Sequence, residues 1–192
     1  PARGDVAILL LPDAARLNCV AEQGDASFYR QAVLGAYRVF FEQNIAVELL
    51  RLDQLHTHPL VYLPWPLVLS EDEALALRAY VENGGTLVSE ASPGRYSPHG
   101  FRNAVIPACG LDEVFGCRET GVAEFIAPGE KAPIIAGKSK HYPCANCQAF
   151  LDATHGDTVG TFLSGEGAIV DNTFGSGKTR LIATNPSIAY AS

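Results

Sequence analysis

The sequence lacks a hydrophobic run long enough to cross a membrane, and it also lacks a cluster of basic residues. Its longest apolar run, VAILLLP, has seven residues, whereas a membrane-spanning helix needs about 20. Lys and Arg total 14 against 21 Asp and Glu, so the net charge is −7 and the field of the chain repels a phosphate backbone. We therefore expect a soluble chain that binds neither membranes nor nucleic acids.

The sequence also lacks the dense, even set of cysteines that holds small secreted domains together. Its five cysteines are an odd number scattered over 192 residues. This distribution favours reduced thiols and, with them, a cytoplasmic location. The five are Cys19, Cys109, Cys117, Cys144 and Cys147.

One short segment, HYPCANC, places His141, Cys144 and Cys147 at a spacing that suits three zinc ligands. A structural zinc site needs a fourth ligand and commonly combines two such segments, and only one is present. A disulfide or thiol pair between Cys144 and Cys147 is a second alternative. We favour an ordinary loop with two cysteines over both, and we expect neither a metal nor another cofactor.

Near the carboxy end, the letters FGSGKT resemble a phosphate-binding loop but lack its first glycine. That loop requires a Gly five positions before the Gly-Lys pair, and counting back from Gly177 reaches Asn172. It must also open a helix whose free N–H groups face the phosphate, whereas KTRLIAT is typical of a strand. We therefore predict a β-hairpin in which AIVDNTF and KTRLIAT are joined by the turn Gly175–Gly177.

What the sequence does contain is typical of one globular domain. Apolar residues make up 47% and charged residues 18% of the chain, and 192 residues can bury a substantial core. There is no internal repeat and no low-complexity linker, so we expect residues 1–192 to form a single domain. Because the first residue is Pro and no leader-like segment follows, we also expect this domain to be excised from a longer protein.

The first 90 residues alternate between strand-like and helix-like segments. Four apolar segments predict strands: DVAILLLP, IAVELL, PLVYLP and TLVSE. Apolar residues at helical spacing predict a helix over residues 28–43. A second helix is predicted to begin after Ser70, which forms a capping box with Glu73, and to end before Gly84. This alternation predicts a doubly wound α/β fold with a mainly parallel sheet flanked by helices.

The second half of the chain is richer in strands. After a loop rich in Pro and Gly over residues 91–101, residues 103–116 predict one or two short helices. We expect the remaining segments to add antiparallel hairpins to the edge of the parallel sheet. These segments are GVAEFIA, APIIAG, QAFLDAT, TVGTFL, AIVDNTF and KTRLIAT.

Taken in order, these segments resemble the β-galactosidase trimerisation domain, which is the middle domain of glycoside hydrolase family 42. The resemblance covers most of the chain and rests on DVAILLLPD, NIAVELL, LVYLPWPLVLSEDEALALRAYVENGGTLVSEASPGRYSPHG and GSGKTRLIATNP. It implies a flavodoxin-like fold similar to that of class I glutamine amidotransferases. It also implies a role in trimer assembly beside a catalytic barrel, which lies outside these 192 residues.

The resemblance directs attention to the turn after TLVSE, because amidotransferases place a nucleophilic Cys there. In this chain the turn reads EASPG and contains no thiol. The alternative is that Ser92 acts as the nucleophile, with His99 as the base and Glu90 as a third member of the group. Pro93 disfavours the strained turn that such a nucleophile needs. We therefore expect no catalytic residue in this chain.

The carboxyl ends of parallel strands are the natural ligand crevice of such a sheet. Four residues are candidates for lining that crevice, and each also has a plainer role. Asp13 is expected in a turn after Pro12, and Trp65 is expected to fill space between two prolines. Glu90 is expected to cap a loop, and His99 is expected in a solvated turn. We favour these plainer roles.

Hydrolysis of a glycoside needs two carboxylates about 5–10 Å apart. The sequence contains the acidic residues Glu90, Glu166 and Asp171, but their spacing gives no reason to place any two of them that close together. The leading hypothesis is a non-catalytic accessory domain of a β-galactosidase-like glycoside hydrolase. Its partners would be copies of itself, in a trimer, and the catalytic barrel of the parent chain. The alternatives are an amidotransferase-like hydrolase with a replaced nucleophile, and a module that binds a small ligand in the strand-end crevice.

Overall fold

The computed structural model describes residues 4–21, 24, 27–125, 134–137, 141–143 and 147–191. For residues 122–125, 134–137 and 141–143 it describes the backbone alone. Within these residues the chain forms a mixed sheet with helices packed against it. None of the described helices is long and apolar enough to span a membrane.

Most strands overlap the predicted segments, but a strand at His141–Pro143 and the start of another at Cys147 lie in HYPCANC, so the prediction of an ordinary loop there is wrong. In chain order they are β1 (Val6–Leu9), β2 (Val47–Leu50), β3 (Leu60–Leu63), β4 (Thr86–Ser89), β5 (Cys117–Phe125), β6 (Ile134–Gly137), β7 (His141–Pro143), β8 (Cys147–Ala153), β9 (Asp157–Phe162), β10 (Gly167–Phe174) and β11 (Gly177–Ile182).

The sheet has a parallel half and an antiparallel half. The parallel half runs β2-β1-β3-β4-β11. The antiparallel half continues β10-β9-β6-β7 from β11, and β8 pairs with both β10 and β5. The expectation of a parallel sheet extended by antiparallel strands is thus confirmed. The sequence did not indicate that β11 is itself the fifth parallel strand.

The helices are α1 (Pro12–Ala21), α2 (Ser27–Glu42), α3 (Glu71–Glu82), α4 (Leu111–Phe115) and α5 (Pro186–Ala189), with a 3₁₀ helix at Leu52–Thr57. The predicted helix over residues 28–43 is confirmed as α2. The region 103–116 contains one short helix, α4.

The capping box predicted for α3 is present. Ser70 Oγ accepts a hydrogen bond from the Glu73 N–H at 3.2 Å, and the Glu73 carboxylate accepts one from the Ser70 N–H at 2.8 Å. These bonds satisfy donors that the first turn of a helix otherwise leaves free. The start of α3 was therefore readable from local sequence.

Asp13 was predicted to lie in a turn, and this prediction is wrong. Pro12 opens α1, because the first helical position needs no N–H donor and Pro already has a helical φ. Asp13 then occupies the first turn, where a negative charge is favoured, and pairs with Arg16 at 2.7 Å. The sequence LLPDAAR thus marks the end of a strand and the start of a helix.

The hairpin at FGSGKT is confirmed. Phe174 pairs with Gly177 across β10 and β11, so Gly175 and Ser176 form the turn. Gly175 has a φ of 58°, and an added Cβ would lie 2.7 Å from the Glu82 backbone. The position therefore requires glycine both for its conformation and for its contact with the end of α3.

Helices cover the two faces of the parallel half. Tyr62 of β3 packs edge-to-face on Phe40 of α2, with ring centroids 5.9 Å apart, so α2 lies on the Tyr62 face. Thr179 belongs to the opposite face, and its hydroxyl donates to the Val114 carbonyl of α4 at 3.1 Å. Because α3 contacts α4, α3 lies on that second face as well. The strand β1, which lies next to the edge strand β2, is consequently buried along its whole length.

Candidate functional site at the strand ends

The carboxyl ends of β3, β4 and β11 continue to bond to one another beyond the strands themselves. The Glu90 N–H donates to the Leu63 carbonyl at 3.1 Å, and the Ala91 N–H donates to the Thr184 carbonyl at 3.2 Å. Glu90, Trp65 and Asn185 therefore come together at this edge of the sheet. This is the place where open α/β sheets commonly bind ligands.

Glu90 is fully buried and is surrounded by hydrogen-bond donors from the chain itself. Its Oε1 accepts from the Tyr62 hydroxyl at 2.8 Å and from the Ser187 N–H at 2.7 Å. Its Oε2 accepts from the Trp65 N–H at 3.1 Å and from Asn185 Nδ2 at 3.4 Å. Both oxygens are thus occupied by intramolecular partners.

The pKa of the Glu90 carboxyl is the result of two opposing effects. Burial raises this pKa above its ordinary value, because a charged carboxylate loses its water. The donors from Ser187, Tyr62 and Trp65 oppose the shift by stabilising the ionised form. The arrangement serves to join three strand ends and α5, and it offers no free oxygen to a substrate.

Trp65 fills the space beside Glu90. It is 2% exposed and has a φ of 47°, which is unusual for a residue with a side chain. Its indole Nε1–H donates to Asn18 Oδ1 at 2.8 Å, and Asn18 Nδ2 donates to the Ala14 carbonyl at 2.8 Å. The indole therefore closes the crevice against α1. Asp13, on the same helix, is held by Arg16 instead.

Ser92 lies on a strained turn shortly after β4, with a φ of 63°. Its side chain is fully buried. The Ser92 hydroxyl donates to Glu119 Oε2 at 3.1 Å and accepts from Arg95 Nη2 at 2.8 Å. Arg95 and Glu119 form a buried ion pair at 3.1 Å. The hydroxyl is therefore part of a polar cluster that joins the turn to β5.

Burial also raises the pKa of the Glu119 carboxyl, and the positive charge of Arg95 opposes that rise. Glu119 is close enough to Ser92 to accept its proton, but Ser92 is fully buried and the Glu119 side chain is only 5% exposed. His99, the predicted base, lies in an exposed turn closed by the bonds Gly100 N–H to Ser97 carbonyl and Ser97 N–H to Phe101 carbonyl. Glu90, Ser92 and His99 thus do not form one group: the first two lie in separate buried clusters, and the third lies in an exposed turn.

The proposed zinc ligands fall largely outside the described residues. Cys144 is not described, and of His141 only the backbone in β7 is known. Cys147 begins β8 and is buried, and burial raises the pKa of its thiol to about 12. Where side chains are described, no three metal-binding groups converge. The absence of zinc stays a prediction.

A small cavity adjoins the Glu90 cluster. Its volume is about 170 Å³, which is less than the roughly 300 Å³ at which small-molecule pockets begin. Apart from Ser187 and the two tyrosine hydroxyls, its lining is apolar. The lining residues are Ala36, Val39, Phe40, Tyr62, Pro186, Ser187 and Tyr190.

Sequence reasoning missed several residues of these two clusters. The segment TNPS contains a helix-start signal, Asn followed by Pro, that could have located α5 and the Ser187 N–H. No local sequence pattern predicts the ion pair between Arg95 and Glu119, because the two residues lie 24 positions apart in sequence. Their pairing depends on how β5 is placed in the sheet.

A family model described as the β-galactosidase trimerisation domain matches residues 5–192. None of the curated proteins is similar enough in sequence to count as a relative.

Several solved structures share the fold. A catalytic mutant of Gan42B, a GH42 β-galactosidase from G. stearothermophilus, has a TM-score of 0.84 and 21% identity, with 95% of this chain and 28% of that chain covered. A cold-adapted β-galactosidase from Rahnella sp. R3 has a TM-score of 0.86 and 19% identity, with 99% and 30% covered. An exo-β-1,4-mannosidase from Opitutaceae bacterium strain TAV5 has a TM-score of 0.67 and 15% identity, with 99% and 32% covered.

The chain therefore spans less than one third of the length of these three enzymes. At such low identity the structural likeness establishes the fold alone, whereas the family model covers almost the whole sequence. The strand ends, where this fold would hold a ligand, are filled by the side chains of Glu90, Trp65 and Ser92. This chain belongs to the family of β-galactosidase trimerisation domains.

Proposed function

We propose that residues 1–192 form one domain of a longer glycoside hydrolase and hold copies of that protein together in a trimer. In this proposal the domain performs no chemistry, and a separate barrel of the parent chain carries the carboxylates that cleave the sugar. The match of the trimerisation-domain model over residues 5–192 is the observation that carries the proposal.

The filled strand ends support the non-catalytic part of the proposal. An acid or nucleophile must reach its substrate, and both Glu90 and Ser92 are fully buried and bonded to neighbouring groups. The similar solved proteins include β-galactosidases and an exo-β-1,4-mannosidase. A β-glycoside is therefore the substrate class that we assign to the parent protein.

We also assign the chain to the fold of class I glutamine amidotransferases. Two features support this assignment: the parallel strand order β2-β1-β3-β4-β11, and the positive φ of Ser92 after β4. In amidotransferases that turn presents a nucleophile. In this chain the same turn holds a serine that bonds to Arg95 and Glu119.

The strained turn at Ser92 is also the observation that favours a second function, an amidotransferase-like hydrolase with serine as nucleophile. The two functions are separated by incubating the isolated chain with aryl-β-galactosides and, separately, with glutamine. Because Glu90 and Ser92, the candidate acid and nucleophile at the strand ends, are both fully buried, we expect no turnover above the blank with either substrate. Turnover that disappears in Glu90→Gln or Ser92→Ala protein would identify an enzyme and refute the non-catalytic role.

A further inference from the structure

Five large apolar side chains are exposed on α2 and on the edge strand that follows it. Leu34, Tyr37 and Phe41 recur at helical spacing on one side of α2 and are 56%, 38% and 64% exposed. The rings of Tyr37 and Phe41 stack with centroids 5.9 Å apart. Ile45, just after the helix, is 36% exposed, and Leu49 of β2 is 49% exposed. We call these five residues the α2–β2 surface.

The α2–β2 surface lies on one side of the domain. Leu49 pairs with Ile8, which pairs with Tyr62, so Leu49 lies on the face of the sheet that α2 covers. The helix α2 itself contacts β2. An exposed apolar surface of this extent is typical of an interaction site, and aromatic side chains at its centre are typical of the residues that anchor a partner.

The amino end of the described chain lies at one border of the α2–β2 surface. The Asp5 N–H donates to the Ala46 carbonyl at 3.0 Å, and a Cβ added to Gly4 would lie 3.0 Å from the same carbonyl oxygen. Ala46 directly follows Ile45. The polypeptide that leads into β1 therefore reaches the domain next to Ile45.

The carboxy end of the described chain lies at another border of the same surface. The helix α5 packs against α2, and the residue after its last turn, Ala191, lies against Gly35. A Cβ added to Gly35 would clash with the Ser187 carbonyl and would lie 3.2 Å from the Ala191 nitrogen. Gly35 directly follows Leu34. The polypeptide beyond Ala191 therefore leaves the domain next to Leu34.

We propose that the α2–β2 surface docks onto the catalytic barrel of the same polypeptide. This chain covers only 28% and 30% of two similar β-galactosidases, so most of a parent protein of that kind lies outside this domain. The inference rests on the proposed function, which places a barrel in the parent chain. It adds the surface by which this domain holds that barrel.

Covalent attachment is the reason to choose the barrel over a separate copy of the chain. A module joined by a short linker is present at an effective concentration of about millimolar, and a separate molecule does not reach that concentration in an ordinary solution. Because both chain ends border the α2–β2 surface, attached parts of the parent protein have this advantage exactly there. The contacts between copies must then be made by other surfaces.

The polar border of the surface fits a contact between domains. Arg38 and Glu42, on the exposed side of α2, form an ion pair at 2.8 Å, and both side chains are more than half exposed. An apolar centre with a polar, solvated rim is the usual arrangement of a protein interface. In this contact Leu34, Tyr37 and Phe41 would form the centre.

The first test is photo-crosslinking in the full-length protein that contains this chain. Leu34 is replaced by p-benzoylphenylalanine, the protein is irradiated, and the products are separated on a denaturing gel and sequenced by mass spectrometry. We expect crosslinks within single polypeptides that join position 34 to peptides of the barrel. The matched control carries the same amino acid at Leu163, which is 69% exposed in the turn between β9 and β10, and should give no crosslink to the barrel.

The second test adds a substitution on the α2–β2 surface. Phe41→Asp places a charge in the apolar contact, so the yield of the crosslink from position 34 to the barrel should fall about tenfold, as expected for the loss of one anchor residue. The mass measured by light scattering should remain that of the wild type. Leu163→Asp is the control and should change neither value. Circular dichroism verifies that each variant is folded.

The outcomes separate the inference from the function on which it rests. A wild-type protein with the mass of a single chain refutes the proposed trimer. A wild-type trimer in which position 34 crosslinks to another copy, or to a part of its own chain other than the barrel, refutes the inference and leaves the trimer standing. The inference is also refuted if folded Phe41→Asp protein gives the wild-type crosslink yield, or if it loses the trimer.

Discussion

At the scale of single residues, two buried carboxylates, Glu90 after the parallel strand β4 and Glu119 in the antiparallel strand β5, are used for structure. Glu90 receives four donors from β3, α5 and the segments that border them. Glu119 pairs with Arg95 and holds the Ser92 turn in a left-handed conformation. Each carboxylate bonds together parts of the chain that are distant in sequence.

The raised pKa of Glu90 leads to a prediction about pH. In the folded state the carboxyl binds its proton more tightly than in the unfolded state, so its contribution to stability is greatest below the ordinary Glu pKa and is lost as pH rises through the folded value. The free energy of unfolding should therefore fall from about pH 4.5 upward. In Glu90→Gln protein this part of the pH dependence should be absent.

The same substitution should also lower stability at every pH. A Gln side chain keeps one oxygen, but its amide N–H groups face donors such as the Trp65 or Ser187 N–H. We expect a loss of about 1–3 kcal/mol, which is the usual cost of unsatisfied buried polar groups. Urea denaturation between pH 4.5 and 8 measures both effects, with exposed Glu82→Gln as the control. An identical pH dependence in wild-type and Glu90→Gln protein would contradict this account of Glu90.

At the scale of elements, the capping box of α3 was predicted from local sequence, and its contribution to stability can be measured. Ser70→Ala removes the acceptor for the Glu73 N–H and one partner of the Glu73 carboxylate. We expect the free energy of unfolding to fall by roughly 0.5–2 kcal/mol. Ser176→Ala is the matched control, because Ser176 is exposed in the β10–β11 turn. Equal stability of the two variants would mean that the cap contributes nothing to the fold.

Elements with strong local patterns were predictable from sequence, and elements that depend on distant pairing were not. The strands β1 to β4, the helices α2 and α3 and the β10–β11 hairpin each carry their own signal, either periodicity, a cap or a glycine turn. The helix α1 was missed because Pro12 was interpreted as the end of a strand and not as a first helical residue. The parallel pairing of β11 with β4 joins residues about 90 positions apart, and no local pattern encodes it.

In the candidate site, too, some features were predictable from local sequence and others depend on residues that are distant in sequence. Glu90 and Ser92 could be identified from sequence because they follow a predicted parallel strand, where functional residues of this fold gather. Their burial could not be foreseen, because it depends on Trp65, Arg95 and Glu119. The positive φ of Ser92 also differs from the expectation that Pro93 would disfavour a strained turn. That conformation is held by a hydrogen bond from Arg95 to the Ser92 hydroxyl and by one from this hydroxyl to Glu119.

At the scale of the whole molecule, side chains fill the crevice at the strand ends, whereas large apolar side chains are exposed on the outer surface. Five of its exposed large apolar side chains fall between Leu34 and Leu49, on α2 and the edge strand that follows it. A domain that worked by binding a small substrate would be expected to show the reverse arrangement. The distribution of apolar surface is therefore consistent with a domain whose function is contact with other protein surfaces.

The most direct test is the mass of the full-length protein that contains this chain, measured by sedimentation equilibrium with and without residues 1–192. A self-association domain predicts a mass of three polypeptides for the intact protein, because that is the assembly named for its family. Removal of residues 1–192 should give a smaller species, since closed symmetric assemblies depend on the contacts that close them. An intact protein that is monomeric at all concentrations, or a truncated protein that remains a trimer, would contradict the account.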